Sequence, residues 1–161
     1  MAGKGIIPDL SPDGPDRLLL EAFDRLETAR LRPTDLATAA QASPEATQAA
    51  LARLAAGGCL RETAGQFERT ELGRLEVAGP RDLTLLSRPG CHLCEEARRA
   101  IHPLLAESGA RLRVVDVDSD RMLRELFGNE IPVLFLGRRE IARHRISARQ
   151  LREDLRREAW T

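Results

Sequence analysis

Two cysteines three positions apart, Cys91 and Cys94, stand between a short apolar run, Leu83-Thr84-Leu85-Leu86, and a segment of helical periodicity. The apolar run predicts a strand. The residues from Cys91 onward predict a helix with a buried stripe of Leu93, Ala97, Ala100, Ile101, Leu104 and Leu105, which Pro103 must kink unless it lies near the end. The thiols therefore fall at a strand-to-helix junction. A helix N-terminus leaves its first amide N–H groups unpaired and carries a partial positive charge, so a cysteine placed there is stabilised as thiolate, the form that attacks disulfides. Cys91 is on this argument the candidate nucleophile. The same spacing can serve half of a zinc site. Beyond the pair, however, the chain offers only Cys59, His92, His102 and His144, with no second paired knuckle, so no metal is expected.

The chain has 161 residues, room for one ordinary domain or two small ones, and charge divides unevenly along it. Residues 1–80 carry nine basic and twelve acidic side chains, and residues 81–161 carry sixteen and thirteen. Between them Val77-Ala78-Gly79-Pro80-Arg81-Asp82 interrupts regular structure without giving two domains a long tether. The expected organisation is a disordered tail over 1–15, a first domain over 16–79 and a second over 80–161. No apolar stretch approaches the roughly 20 residues of a membrane span. The Gly- and Pro-rich opening holds only Ile6-Ile7 as an apolar pair, too little for a secretory signal. The expectation is a cytoplasmic protein without membrane partners, in a reducing compartment where a close cysteine pair serves chemistry rather than stapling.

In the first half, Leu18, Leu19, Ala22, Phe23 and Leu26 predict a helix from about Asp16, and residues 34–40 a second, short one. Ser43-Pro44-Glu45 reads as N-cap, first-turn proline and first-turn acid of a third helix, with Thr47, Ala50, Leu51 and Leu54 inward and Gly57-Gly58 as its stop. Residues 59–63 and 66–70 alternate like a hairpin around Ala64-Gly65. Three helices and a hairpin resemble a winged helix-turn-helix domain, and "LARLAAGGCLRETAGQFERTELG" is similar to the recognition-helix end and wing of multiple-antibiotic-resistance-type regulators. That resemblance implies Gln48, Arg53, Arg61 and Arg69 as candidate DNA contacts. The domain is net acidic, and the wing arginines have Glu62 and Glu68 beside them, so protein docking or dimerisation is favoured over DNA. Cys59, after the Gly-Gly stop, reads as a core residue.

The second half reads as strand 83–88, helix from Cys91, strand 111–118, short helix 120–127, strand 133–137, strand 139–146 and helix 148–159. Its last helix opens on the capping signature Ser147-Ala148-Arg149-Gln150. Arg138, Arg139, Arg143 and Arg145 crowd a strand expected at the sheet edge, where charge discourages unwanted pairing. Trp160 reads as a packing residue or a frayed end. This order, with Cys-x-x-Cys at the first helix and Ile131-Pro132 before the third strand, resembles the minimal α/β thioredoxin-like fold of glutaredoxins, βαβαββα. The segment "LTLLSRPGCHLCEEARRAIHPLL...VVDVDSDRMLRELFGNEIPVLFLG" is similar to the small bacterial glutaredoxin-like family with Cys-x-Leu-Cys.

The resemblance implies that Cys91 is the nucleophile, that Cys94 resolves the mixed disulfide, and that Pro132 follows a cis bond facing the thiols, with Ile131 placed to bind a substrate chain. Arg88 stands where glutaredoxins commonly carry a lysine; its charge would favour the thiolate or hold an anionic thiol. A protonated His92 between the cysteines would tune them the same way. The expected activity is dithiol–disulfide exchange on a protein or low-molecular-weight disulfide, with no bound cofactor and with glutathione or a thioredoxin-type reductase as reductant. The Gly-Gly or acidic-pair motif that classical glutaredoxins use after the last strand is replaced here by Ile141-Ala142-Arg143-His144-Arg145. Two functions stay open: an oxidoreductase whose first domain docks a partner, and a redox-responsive DNA-binding regulator.

Overall fold

A computed structural model describes residues 14–158. The expected tail lies outside them except for Gly14 and Pro15, and Trp160 lies outside them too. The chain divides between Val77 and Ala78 into two compact units.

The first unit runs α1 (Pro15–Arg25), β1 (Arg30–Leu31), α2 (Pro33–Ala40), α3 (Pro44–Ala56), β2 (Leu60–Thr63), β3 (Gln66–Arg69) and α4 (Glu71–Glu76). Proline opens three of these helices at a position where its missing N–H costs nothing. Ser43 Oγ accepts from the Ala46 N–H at 3.2 Å, as its position before Pro44 predicts. Leu19, Leu20, Leu36, Leu54, Leu72 and Leu75 are wholly or almost wholly buried and form the interior of this unit. Three helices and a hairpin are present in the expected order. Two elements were not expected: β1, which adds to the hairpin to make a sheet of order β1-β3-β2, and α4. Thr70 caps α4 by accepting from the Gly73 N–H. Cys59 is fully buried, within the core where its position was expected.

The second unit runs β4 (Asp82–Ser87), α5 (His92–Ser108), β5 (Arg111–Asp116), a 3-10 turn (Val117–Ser119), α6 (Arg121–Phe127), β6 (Val133–Leu136), β7 (Arg139–Arg143) and α7 (Ala148–Glu158). Its sheet has the order β5-β4-β6-β7, with β5 parallel to β4 and the remaining pairs antiparallel. Strand alternation sends Leu83, Leu85, Leu134 and Leu136 to one face, where they pack with Ala97, Ile101 and Leu104 of α5 and Leu151 and Leu155 of α7. On the opposite face Phe135 meets Phe127 of α6 edge-on, 5.8 Å between ring centroids. Pro103 does not end α5, which continues to Ser108.

One expected core position moves. Leu93 is 39% exposed, whereas Cys94 is fully buried. The inward stripe of α5 is Cys94, Ala97, Ile101 and Leu104, spaced 3-4-3, and Leu93 lies about 100° off it.

Candidate thiol site

The sheet register decides what shares an end of the second unit. Ser87 pairs with Asp116, and Leu86 pairs with Val133. The chain leaving β4 toward Cys91, the chain leaving β5 toward Asp118 and the chain entering β6 from Ile131-Pro132 therefore meet at one end of the sheet, on the carboxyl side of its two parallel strands.

The β4–α5 connection is a tight turn. The Cys91 N–H donates to the Arg88 carbonyl at 3.2 Å, and Gly90 takes φ +76°, the left-handed region where a side chain is disfavoured. Cys91 is the N-cap of α5. Its sulfur accepts the Cys94 N–H at 3.2 Å, and its carbonyl accepts the Glu95 N–H at 3.1 Å. Cys91 and Cys94 form a disulfide with their Cα atoms 5.2 Å apart. The two sulfurs differ in access, since Cys91 is half-buried and Cys94 fully buried.

At the same end of the sheet, Ile131–Pro132 is a cis peptide bond, and the Pro132 carbonyl accepts the His144 N–H at 2.8 Å. Pro132 is buried and Ile131 half-buried. His92 is exposed and its Nε2 lies 2.9 Å from Glu96, one turn along α5, so it faces a carboxylate. Arg88 is likewise engaged. Its Nε and Nη2 donate to Asp118 at 2.5 and 3.0 Å in a two-pronged pair, so the guanidinium expected to act on the sulfur or on an anionic thiol has a carboxylate against it. Asp118 holds the Arg88 guanidinium firmly charged, and Arg88 in turn keeps the Asp118 carboxyl below the ordinary carboxylate range. Asp118 escaped the sequence reading. The only signal for it was the acidic run Asp116-Val117-Asp118-Ser119-Asp120 after a strand, which fits capping and turn duties equally well.

Among the arginines of β7, Arg139 pairs with Asp154 and Glu158, and Arg143 with Glu130 and Glu140. The strand is a sheet edge, as expected, and these charges are countered within the unit.

Of the candidate DNA contacts of the first unit, Arg69 is withdrawn from the surface: only 8% exposed, it donates from Nη1 to the Leu20 carbonyl at 2.8 Å and forks onto Asp24, with its guanidinium over the Phe23 ring. Arg53 is occupied by both oxygens of Asp16, at 2.6 and 3.1 Å. Gln48 and Arg61 are exposed. Gln48 lines a cleft of about 520 Å³ with Pro33, Ala37, Leu51, Ala52, Ala55 and Phe67; Glu62 is its one charged residue.

Among the described residues no cluster of three or more His, Cys, Asp or Glu is arranged to hold a metal, and no helix is long and apolar enough to cross a membrane.

Residues 82–156 match the family model described as Glutaredoxin-like domain (DUF836). The chain is similar to a glutaredoxin-like protein of Dictyostelium discoideum, 29% identical over 80 residues that cover 46% of this chain and 74% of that protein. It is also similar to an uncharacterized protein of Mycobacterium tuberculosis, 31% identical over 81 residues covering 47% of this chain and 84% of the relative. A protein of Nitrosomonas europaea with a solution NMR structure is 31% identical; the match covers 45% of this chain and 88% of that one, with a TM-score of 0.41.

Proposed function

Through residues 82–156 this chain belongs to the glutaredoxin-like domain family, and from that premise we propose that it is a dithiol–disulfide oxidoreductase with Cys91 as nucleophile and Cys94 as resolving thiol. The observation that carries the assignment is the unequal access of the two sulfurs: half-buried Cys91 caps α5, and Cys94 lies wholly inside. A substrate disulfide can reach only the outer sulfur. The Cys91 thiolate attacks it, one substrate thiol leaves with a proton, and Cys94 then displaces the second to form the Cys91–Cys94 disulfide. The helix N-terminus favours the thiolate throughout. Ile131 and Pro132, at the same end of the sheet, line the approach of the substrate, and exposed Leu93 offers it an apolar contact.

The reductant is glutathione or a thioredoxin-type reductase, no bound cofactor takes part, and the protein works in a reducing cytoplasm. The first unit is a winged-helix-like module that docks a partner rather than DNA. The support is its cleft, largely apolar with Glu62 as its one charged residue, together with the engagement of Arg53 and Arg69 by acids of their own unit.

The test is a trapping experiment. Cys94→Ser should accumulate a mixed disulfide at Cys91, detected by intact mass, while Cys91→Ser should lower exchange to the uncatalysed background. Titration of the reduced Cys91 thiolate near 240 nm gives a second check: ionisation well below the ~8.5 of a free thiol supports the nucleophile, and ionisation at or above it does not. Redox-dependent retention of genomic DNA fragments in a gel shift would instead favour the regulator.

A further inference from the structure

The charge preference of the thiol site is set outside the cysteine motif, an inference that rests on the oxidoreductase reading above. Arg88 and Cys91 are the two ends of one turn, closed by the Cys91 N–H on the Arg88 carbonyl. The Cα atoms of such ends lie within about 7 Å of each other, which brings the two side chains to neighbouring positions on a scale comparable with the roughly 8–10 Å screening length of physiological salt. An unpaired guanidinium there would draw anions toward the sulfur. Both carboxylate oxygens of Asp118 instead accept from it, and Arg124 approaches the same carboxylate at 3.9 Å. Asp118 is itself held in place, since its N–H donates to Asp116 Oδ1 at 2.9 Å in the turn after β5. Further along α5, the His92 ring faces Glu96 and the Arg98 guanidinium faces Glu95, so a carboxylate stands beside each.

We propose that Asp118 is a specificity-determining residue: by forking onto Arg88 it cancels the one cation of the thiol turn, so that the site reacts with neutral thiols and dithiols in preference to anionic ones such as glutathione. The step concerned is the resetting of the oxidised pair. A reductant thiolate attacks the Cys91 sulfur, the Cys91–Cys94 bond breaks, and Cys94 leaves and takes a proton. A second reductant thiolate then attacks the reductant sulfur of the mixed disulfide and releases Cys91. Two reductant thiols become one disulfide, and the protein disulfide becomes two thiols. An anionic reductant must bring its carboxylates to this turn in both steps with no free cation of the turn to meet them.

The test uses the full-length chain carrying Cys94→Ser, with Cys59 fully buried, and follows Cys91 alkylation by mass spectrometry with anionic iodoacetate and with neutral iodoacetamide. Asp118→Asn is expected to raise the iodoacetate-to-iodoacetamide rate ratio about two- to five-fold, the size of one charge acting at this range in water. Adding Arg88→Gln should remove most of that gain. With Cys94 restored, Asp118→Asn should gain more turnover with glutathione than with dithiothreitol. An unchanged ratio overturns the proposal. So does a gain that survives Arg88→Gln, because Asp118 would then act by its own charge alone, and so does equal turnover change with both thiols. Alkylation ratios that respond as expected in a protein that exchanges no disulfide with either thiol support the charge assignment and remove the oxidoreductase reading instead.

Discussion

At Arg69 a buried guanidinium depends on a largely exposed carboxylate. Its side chain is 7% exposed and that of Asp24 is 64% exposed, so removing the acid leaves an uncompensated charge inside the first unit. Breaking a fully buried pair costs about 3–5 kcal/mol; with one partner in water, Asp24→Asn should cost about 1–3 kcal/mol of that unit's stability, read by urea denaturation. The hydrogen bonds from Arg69 hold the Asp24 carboxyl below its ordinary value. A depressed carboxylate contributes stability that is complete above its unfolded value of about 3.9 and is lost as pH falls through its lower folded value. The wild-type unit should therefore weaken with acid below about pH 4, and Asp24→Asn should flatten that part of the profile. Arg69 alternates with other wing residues and carries a charge, so nothing in its sequence neighbourhood distinguishes it from a phosphate contact. Asp24 is 45 positions away, and only the folded chain brings the two together.

Among the elements, α4 shows most sharply how a short segment depends on its neighbours. It has six residues, too few for helical periodicity to show, and it is held where Gly73 passes against the strand entry at Cys59. A Cβ on Gly73 would sit 2.3 Å from the Cys59 carbonyl oxygen and 2.8 Å from Cγ of Arg69. Gly73→Ala should accordingly destabilise the first unit by about 1–3 kcal/mol, seen as a lower Tm for its unfolding, with thiol exchange by the second unit retained. The two-residue β1 was equally illegible, since it exists only by pairing with β3. By contrast α3 announced itself through its cap and stripe, and α5 through its stripe. The one slip in α5, Leu93 for Cys94, came from counting apolar side chains where burial follows the helix angle.

At the scale of the molecule, the core beneath the thiol site is drawn from positions 83 to 155 alone. Residues 78–161 expressed by themselves should therefore fold and exchange disulfides within about two-fold of the full chain, measured with the same disulfide and dithiothreitol. A much larger loss would assign the first unit a direct part in the reaction.

Local chemistry written in consecutive residues was legible from the sequence: the thiol pair at a strand-to-helix junction, the βαβαββα order, the proline and serine helix starts and the Gly-Gly stop. Each of these depends on neighbours a few positions apart. Tertiary structure alone decided which charges remain available. Arg88 was met by Asp118, Arg53 by Asp16 and Arg69 by Asp24, partners 30, 37 and 45 residues away. A charged side chain acts on a substrate only with what its own fold leaves uncancelled, and that remainder is set by distances in space that residue order does not contain.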